Sequence, residues 1–225
     1  VLDRRDRGSR GSRGSPASLG SGCGRCADAA EAEVAEADVE AVAEAERCLA
    51  EGLAGIGELA FYQAGIDELA LKQLGPIMKM CADHDLPVLI HTNEPVGHAY
   101  HGKTPITLAQ IYRLIKRFSE TKIVLAHWGG GLFFYSLMKR DVKESLVNVF
   151  FDTAASPFLY DPEIYQLAVR LLGDHKILFG SDYPLLSPAR YFAEIRETGL
   201  TKSQIDKICG GNARQLFNSA KSSDE

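Results

Sequence analysis

Lysine is missing from the first 71 residues of this 225-residue chain and methionine from the first 77, although eleven Lys occur from Lys72 onward. The chain opens on Val1, and so sharp a change of vocabulary points to a gene fragment, or to an upstream segment read in another frame, over roughly the first 30 to 40 residues. No apolar run approaches the ~18 residues that a membrane span needs, and no charged start leads into an apolar stretch with a cleavage site. A soluble, cytoplasmic protein with no membrane partner is expected. Cysteine is sparse: Cys23, Cys26, Cys48, Cys81 and Cys209 are too few and too scattered for a secreted disulfide framework. Cys23 and Cys26 form a C-x-x-C, but it lacks both the second pair of a structural zinc site and the preceding strand of a redox motif.

Charge of one sign is locally absent as well. Residues 1–26 carry six Arg against two Asp, whereas residues 27–52 carry one Arg against nine acids. The basic arm has no Lys and no aromatic residue on which a base could stack, so it reads as a disordered Arg/Gly/Ser tail without a nucleic-acid partner. Residues 27–225 then form one domain, because a chain that is 45% hydrophobic and 24% charged can bury a substantial core.

What is present is alternation. An Ala/Glu-rich stretch from Ala27 to Leu53 reads as a helix, and GIGELAFY (55–62) as a short apolar strand. A helix interrupted at Gly75-Pro76 follows, then the strand-like VLIHT (88–92), a helix opened by Thr104-Pro105, and the strand-like KIVLAH (122–127). LFFYSLMKRDVKESL is helical, NVFFDT (148–153) extended, DPEIYQLAVRLLGD helical, KILFGSD (176–182) extended and SPARYFAEIRE helical. Thr201 and Gln204 have the spacing of a capping box for a last helix. Five apolar strands, each followed by a helix, imply parallel strands buried on both faces and hence an α/β fold, either an open sheet or a closed barrel.

Each strand ends at, or carries, a residue able to bind metal or move protons: Glu58, His91, His127, Asp152 and Asp182, separated by 33, 36, 25 and 30 residues. Those are lengths of one strand–helix unit, and a repeated unit brings its strand ends to one rim. Imidazole and carboxylate meeting there suit a catalytic divalent metal, which lowers the pKa of water toward neutrality. An isolated His at a strand end is more often a hydrogen-bonded structural residue, but two His and Asp182 in register outweigh that reading. Asp152 is weaker, since an Asp after a strand often only caps the next turn. The segment TNEPVGHAYHGKTP (92–105) is long for a connection and dense in Glu94, His98, Tyr100, His101 and Lys103. It is either a pocket wall contacting substrate through Glu94, His98, Tyr100 and Lys103, or a solvated loop.

HTNEPVGHAYHGK, IVLAHWGGG, ILFGSDYP and GGNARQLF together resemble the amidohydrolase-related family (amidohydrolase family 2) of metal-dependent hydrolases, from about Glu46 to Phe217. That family also contains decarboxylases of the aminocarboxymuconate-semialdehyde type. The resemblance implies a TIM-type (β/α)8 barrel, here incomplete, with about five C-terminal strand–helix units present. It also implies a divalent metal, zinc or manganese, held by His91, His127, Asp182 and Glu58. His127 would double as a water-activating base and Asp182 as a proton shuttle. One departure stands out: the family's first strand carries a His-x-His pair, which none of the six His here forms. The expected function is hydrolysis of a carbonyl-type bond in a small molecule by a chain able to form homo-oligomers. The alternatives are non-oxidative decarboxylation, with Lys103 as a candidate cation for the substrate carboxylate, and an inactive fragment serving as a binding module.

Overall fold

The computed structural model describes residues 40–218, so the expected tail over 1–26 and the first half of the Ala/Glu-rich helix lie outside the described residues. A helix over residues 40–50 (α1) leads into β1 (Ile56–Leu59). There follow α2 (Glu68–Asp83), β2 (Pro87–Ile90), α3 (Leu108–Arg117), β3 (Lys122–Leu125) and a tight turn of chain over His127–Leu137. Next come α4 (Arg140–Ser145), β4 (Val149–Asp152), the short α5 (Ser156–Leu159) and α6 (Glu163–Leu172). The chain closes with β5 (Ile177–Leu178), α7 (Pro188–Glu197), α8 (Lys202–Asp206) and α9 (Asn212–Asn218).

The five strands form one parallel sheet in sequential order, β1-β2-β3-β4-β5. Alternate strand residues point to opposite faces. Val88, Ile90, Ile123, Leu125, Val149, Phe151 and Ile177 pack into the main core with Leu71, Leu74 and Met78 of α2, Ile111, Leu114 and Ile115 of α3, and Ile164 and Ala168 of α6. On the other face Leu89, Val124, Phe150 and Leu178 meet Ala213 and Leu216 of α9. Because both faces are covered by apolar contacts, the strands read as continuous hydrophobic runs.

Local chemistry fixes several boundaries. The capping box at Thr201 forms as expected, with Gln204 returning its side chain to the Thr201 amide at 2.9 Å. A second capping box, Thr107 with Gln110, starts α3 three residues later than Thr104-Pro105 suggested, because Thr104 is used by Asn93 instead. The helix at 68–83 is not broken at Gly75-Pro76: α2 runs through it. Pro76 is exposed while Leu71, Leu74, Met78 and Cys81 hold the buried stripe, so the carbonyl that loses its amide partner faces water. The stretch from 132 is not one helix, since its first part belongs to the tight turn and only 140–145 is α-helical.

Candidate metal centre

Parallel strands deliver their C-terminal ends to one side of the sheet. Glu58 stands within β1, His91 directly after β2, His127 two residues after β3, Asp152 at the last position of β4 and Asp182 in the corner after β5. Glu58, His91 and His127 come together, each offering a ligand atom within 4.8 Å of the others. They line a cleft of about 810 Å³ with Asp182, Glu94, His98, Tyr100 and His101. Asp182 shares the cleft but stands outside the three-residue group.

The imidazoles are held in defined orientations. His91 Nδ1 lies 2.8 Å from Glu58 Oε1, and a carboxylate oxygen can only accept, so the ring donates through Nδ1. Its Nε2 is left buried without a hydrogen-bond partner. His127 Nδ1 lies 3.1 Å from the Ala154 carbonyl, another obligate acceptor, which turns its Nε2 toward Glu58 Oε1 at 3.8 Å. With Nδ1 of each ring taken up by an acceptor, Nε2 is the nitrogen left for a ligand, the arrangement in which a second partner fixes a ligating histidine. The hydrogen bond from His91 holds the Glu58 carboxyl below the usual carboxylate range; partial burial works against it and His127 reinforces it.

Asp152 plays the turn-capping part that its position suggested, with a consequence for the site. Its Oδ1 accepts from the His127 amide at 2.8 Å and the Ala154 amide at 2.9 Å, so one carboxylate positions both the backbone of His127 and the carbonyl that orients its ring. Burial pushes the Asp152 carboxyl up to about 6, against the pull of His127 and the two amides and with help from Glu58. A folded value above the unfolded one means stability that is fully present below about 4 and lost as pH rises through about 6. Metal-free Asp152→Asn, which keeps Oδ1 as an acceptor, is therefore expected to lose less thermal stability than the parent between pH 4.5 and 7. Parallel melting curves at the two pH values check it, and identical pH dependence would refute it.

The His127–Gly131 backbone is left-handed throughout, with φ of 54° at His127, 60° at Trp128 and 60–83° over the three glycines. Trp128 anchors this turn: fully buried, it donates its indole N–H to Ser156 Oγ and meets the Tyr165 ring edge-on at 5.3 Å.

The loop at 94–103 is built rather than merely solvated. Asn93 Oδ1 accepts from the Thr104 amide at 2.8 Å and the Thr104 hydroxyl at 2.7 Å, closing the loop at its base. Glu94 binds Lys103 Nζ at 2.6 Å and Tyr100 Oη at 2.9 Å, and although burial alone would raise its carboxyl, those bonds hold it below the usual range. Lys103 therefore braces the loop from behind, and the cleft wall is made by Glu94, His98, Tyr100 and His101. His101, Tyr62, Phe158 and Leu185 line the cleft without having been marked as site residues by the sequence, and neither was Asn93 at the base of the loop. A buried Asn and scattered apolar residues carry no pattern that marks them in advance.

The amidohydrolase sequence profile (Amidohydro_2) matches residues 29–218. This chain belongs to the amidohydrolase family. Solved structures place its fold among TIM barrels: a 5-carboxyvanillate decarboxylase from Sphingomonas paucimobilis is 20% identical with a TM-score of 0.61, over 80% of this chain and 63% of that one. A dihydroxybenzoic acid decarboxylase from Polaromonas sp. JS666, solved with manganese and 2-nitroresorcinol, is 19% identical with a TM-score of 0.61, over 80% and 66%. A putative amidohydrolase from Staphylococcus aureus is 19% identical with a TM-score of 0.58, over 79% and 68%. No curated protein sequence matches. This amidohydrolase thus spans about two thirds of the length of those barrels, and its five parallel strands are an incomplete (β/α)8 barrel. No helix among the described residues is long and apolar enough to cross a membrane.

Proposed function

We propose that this amidohydrolase acts on a small molecule with the help of one divalent ion held by Glu58, His91 and His127, and that the reaction is hydrolysis of a carbonyl-type bond. The observation that carries the reading is the buried, unpartnered Nε2 of His91 beside Glu58 and His127. Two imidazole nitrogens and a carboxylate suit zinc or manganese, and a buried nitrogen lone pair without a partner is costly unless something ligates it. A divalent ion there supplies Lewis acidity toward a carbonyl or carboxylate oxygen and lowers the pKa of water. The chain's own residues do the rest. Glu58 orients His91, Asp152 and the Ala154 carbonyl orient His127, and the cleft walls at Tyr62, Val96, Tyr100, Phe158, Leu159 and Leu185 accept an apolar or aromatic body. The Asp182 side chain lines the cleft with no hydrogen-bond partner among the described residues, which leaves its carboxylate free to take a proton and return it.

The second reading, non-oxidative decarboxylation of an aromatic acid, is favoured by the likeness to the two decarboxylases and by the aromatic cleft walls. In it Asp182 delivers the proton to the ring carbon from which carbon dioxide departs. Because Glu94 ties up Lys103, the substrate carboxylate would meet His98, Tyr100 or His101 from the loop.

Calorimetric titration of metal-free protein with Zn²⁺ and Mn²⁺ is expected to give one ion per chain. The loaded protein is then screened with 4-nitrophenyl esters and anilides, and with hydroxybenzoates for released carbon dioxide. Asp182→Asn should lower turnover by about a hundredfold or more, as for a removed general acid–base, while changing ion affinity by less than about tenfold. Absence of stoichiometric ion binding would overturn the reading, and an ion bound without turnover on any substrate class would leave a binding module.

A further inference from the structure

The corner after β5 is held by one buried phenol that the proposed chemistry has not used. Tyr191, in the first turn of α7, is 0% exposed. Its hydroxyl donates to the Ser181 carbonyl at 2.8 Å. Ser181 directly precedes Asp182, and both Ala155 and Asp182 line the cleft. Both also hold left-handed backbone, φ 56° at Ala155 and 54° at Asp182. That conformation strains a side-chain-bearing residue and persists where surrounding bonds enforce it.

The other bonds at these corners stop short of Ser181. Thr153 Oγ1 donates to the Gly180 carbonyl at 2.8 Å and accepts its amide at 3.1 Å, and beyond Asp182 the Leu185 amide reaches the Asp182 carbonyl at 2.8 Å. Between those anchors, among the described residues, the Tyr191 hydroxyl makes the hydrogen bond that holds the chain. The ring that carries it is fixed edge-on to Phe179 at 5.7 Å, which stacks on Phe192 at 4.8 Å. From this geometry we infer that Tyr191 is a positioning residue: its hydroxyl holds the Ser181 carbonyl and so fixes where the Asp182 carboxylate stands in the cleft. The inference rests on the reading of Asp182 as the proton-moving group.

Tyr191→Phe removes the hydroxyl and keeps the ring. By hydrogen–deuterium exchange, amides at 180–185 should exchange about tenfold faster while those of α2, α3 and β2–β3 stay unchanged. Mn²⁺ affinity should stay within about twofold, because Glu58, His91 and His127 belong to other corners. With 4-nitrophenyl acetate and Mn²⁺-loaded full chain, kcat should fall about tenfold at unchanged KM, and the change should add nothing in an Asp182→Asn background. Unchanged exchange at 180–185, an intact kcat, or an effect additive to Asp182→Asn would each overturn the proposal. If the parent chain fails to hydrolyse the ester, the hydrolytic reading fails on its own, and exchange at 180–185 then decides whether the hold on Ser181 exists.

Discussion

His91→Ala is expected to lower affinity for Zn²⁺ or Mn²⁺ by more than about a hundredfold. Loss of a residue that merely orients a ligand already costs about ten- to a hundredfold, and His91 supplies the buried Nε2 itself. The same change strips Glu58 of the hydrogen bond that keeps its carboxyl acidic, so the second donor is weakened with the first. Glu58→Gln should fall between, about ten- to a hundredfold, since the amide oxygen still accepts from His91 Nδ1 but carries no charge to the ion. The His91 amide remains bonded to the Leu59 carbonyl at 2.9 Å, so β1 and β2 stay joined and circular dichroism should report an intact fold. Calorimetry on the three proteins decides. Affinity retained within threefold in His91→Ala would place the ion elsewhere.

Gly130→Ala is expected to lower stability by about 3 kcal/mol and the melting temperature by about 10 °C, using the usual ~2–4 °C per kcal/mol for a chain of this size. Gly130 sits at φ 60°, where a Cβ costs about 1 kcal/mol or more by itself. The added carbon would also come within 2.5 Å of the Asn93 carbonyl oxygen, a contact that only backbone movement can relieve. Asn93 is not free to move, because its side chain closes the 94–103 loop through two bonds to Thr104. The strain should therefore pass to the loop as well as to His127, three residues upstream. Thermal melts with and without Mn²⁺ check this. A loss below about 1 kcal/mol would mean that the left-handed turn is far softer than its packing indicates.

The elements legible in the sequence were those written in local chemistry. Apolar runs of β-formers, amphipathic spacing and the Thr201–Gln204 box located the parallel strands and several helices, because such patterns depend on residues one to four positions apart. The spacing of Glu58, His91 and His127 was legible for the same reason: parallel strands of one repeating unit must bring their ends to one rim. Pro76 misled because whether a proline breaks a helix depends on which side faces water, which only the packed core sets.

What only the tertiary structure decided were the partners of individual polar atoms. Lys103 was a candidate cation for a substrate carboxylate, and the structure pairs it with Glu94, nine residues away. Asp152 read as a turn cap and is one, but the amide it caps belongs to His127, 25 residues earlier, which turns a local device into a support for the site. Asn93 with Thr104, Trp128 with Ser156, and Tyr191 with Ser181 are likewise pairs that no periodicity announces. The sequence by itself determined the family, the order of the strands and the residues that reach the rim, because these follow from repeating hydrophobic patterns and motif spacing. The structure decided which of those residues face one another and which lone pairs stay free, because hydrogen-bond partners are chosen by three-dimensional proximity once the core has packed.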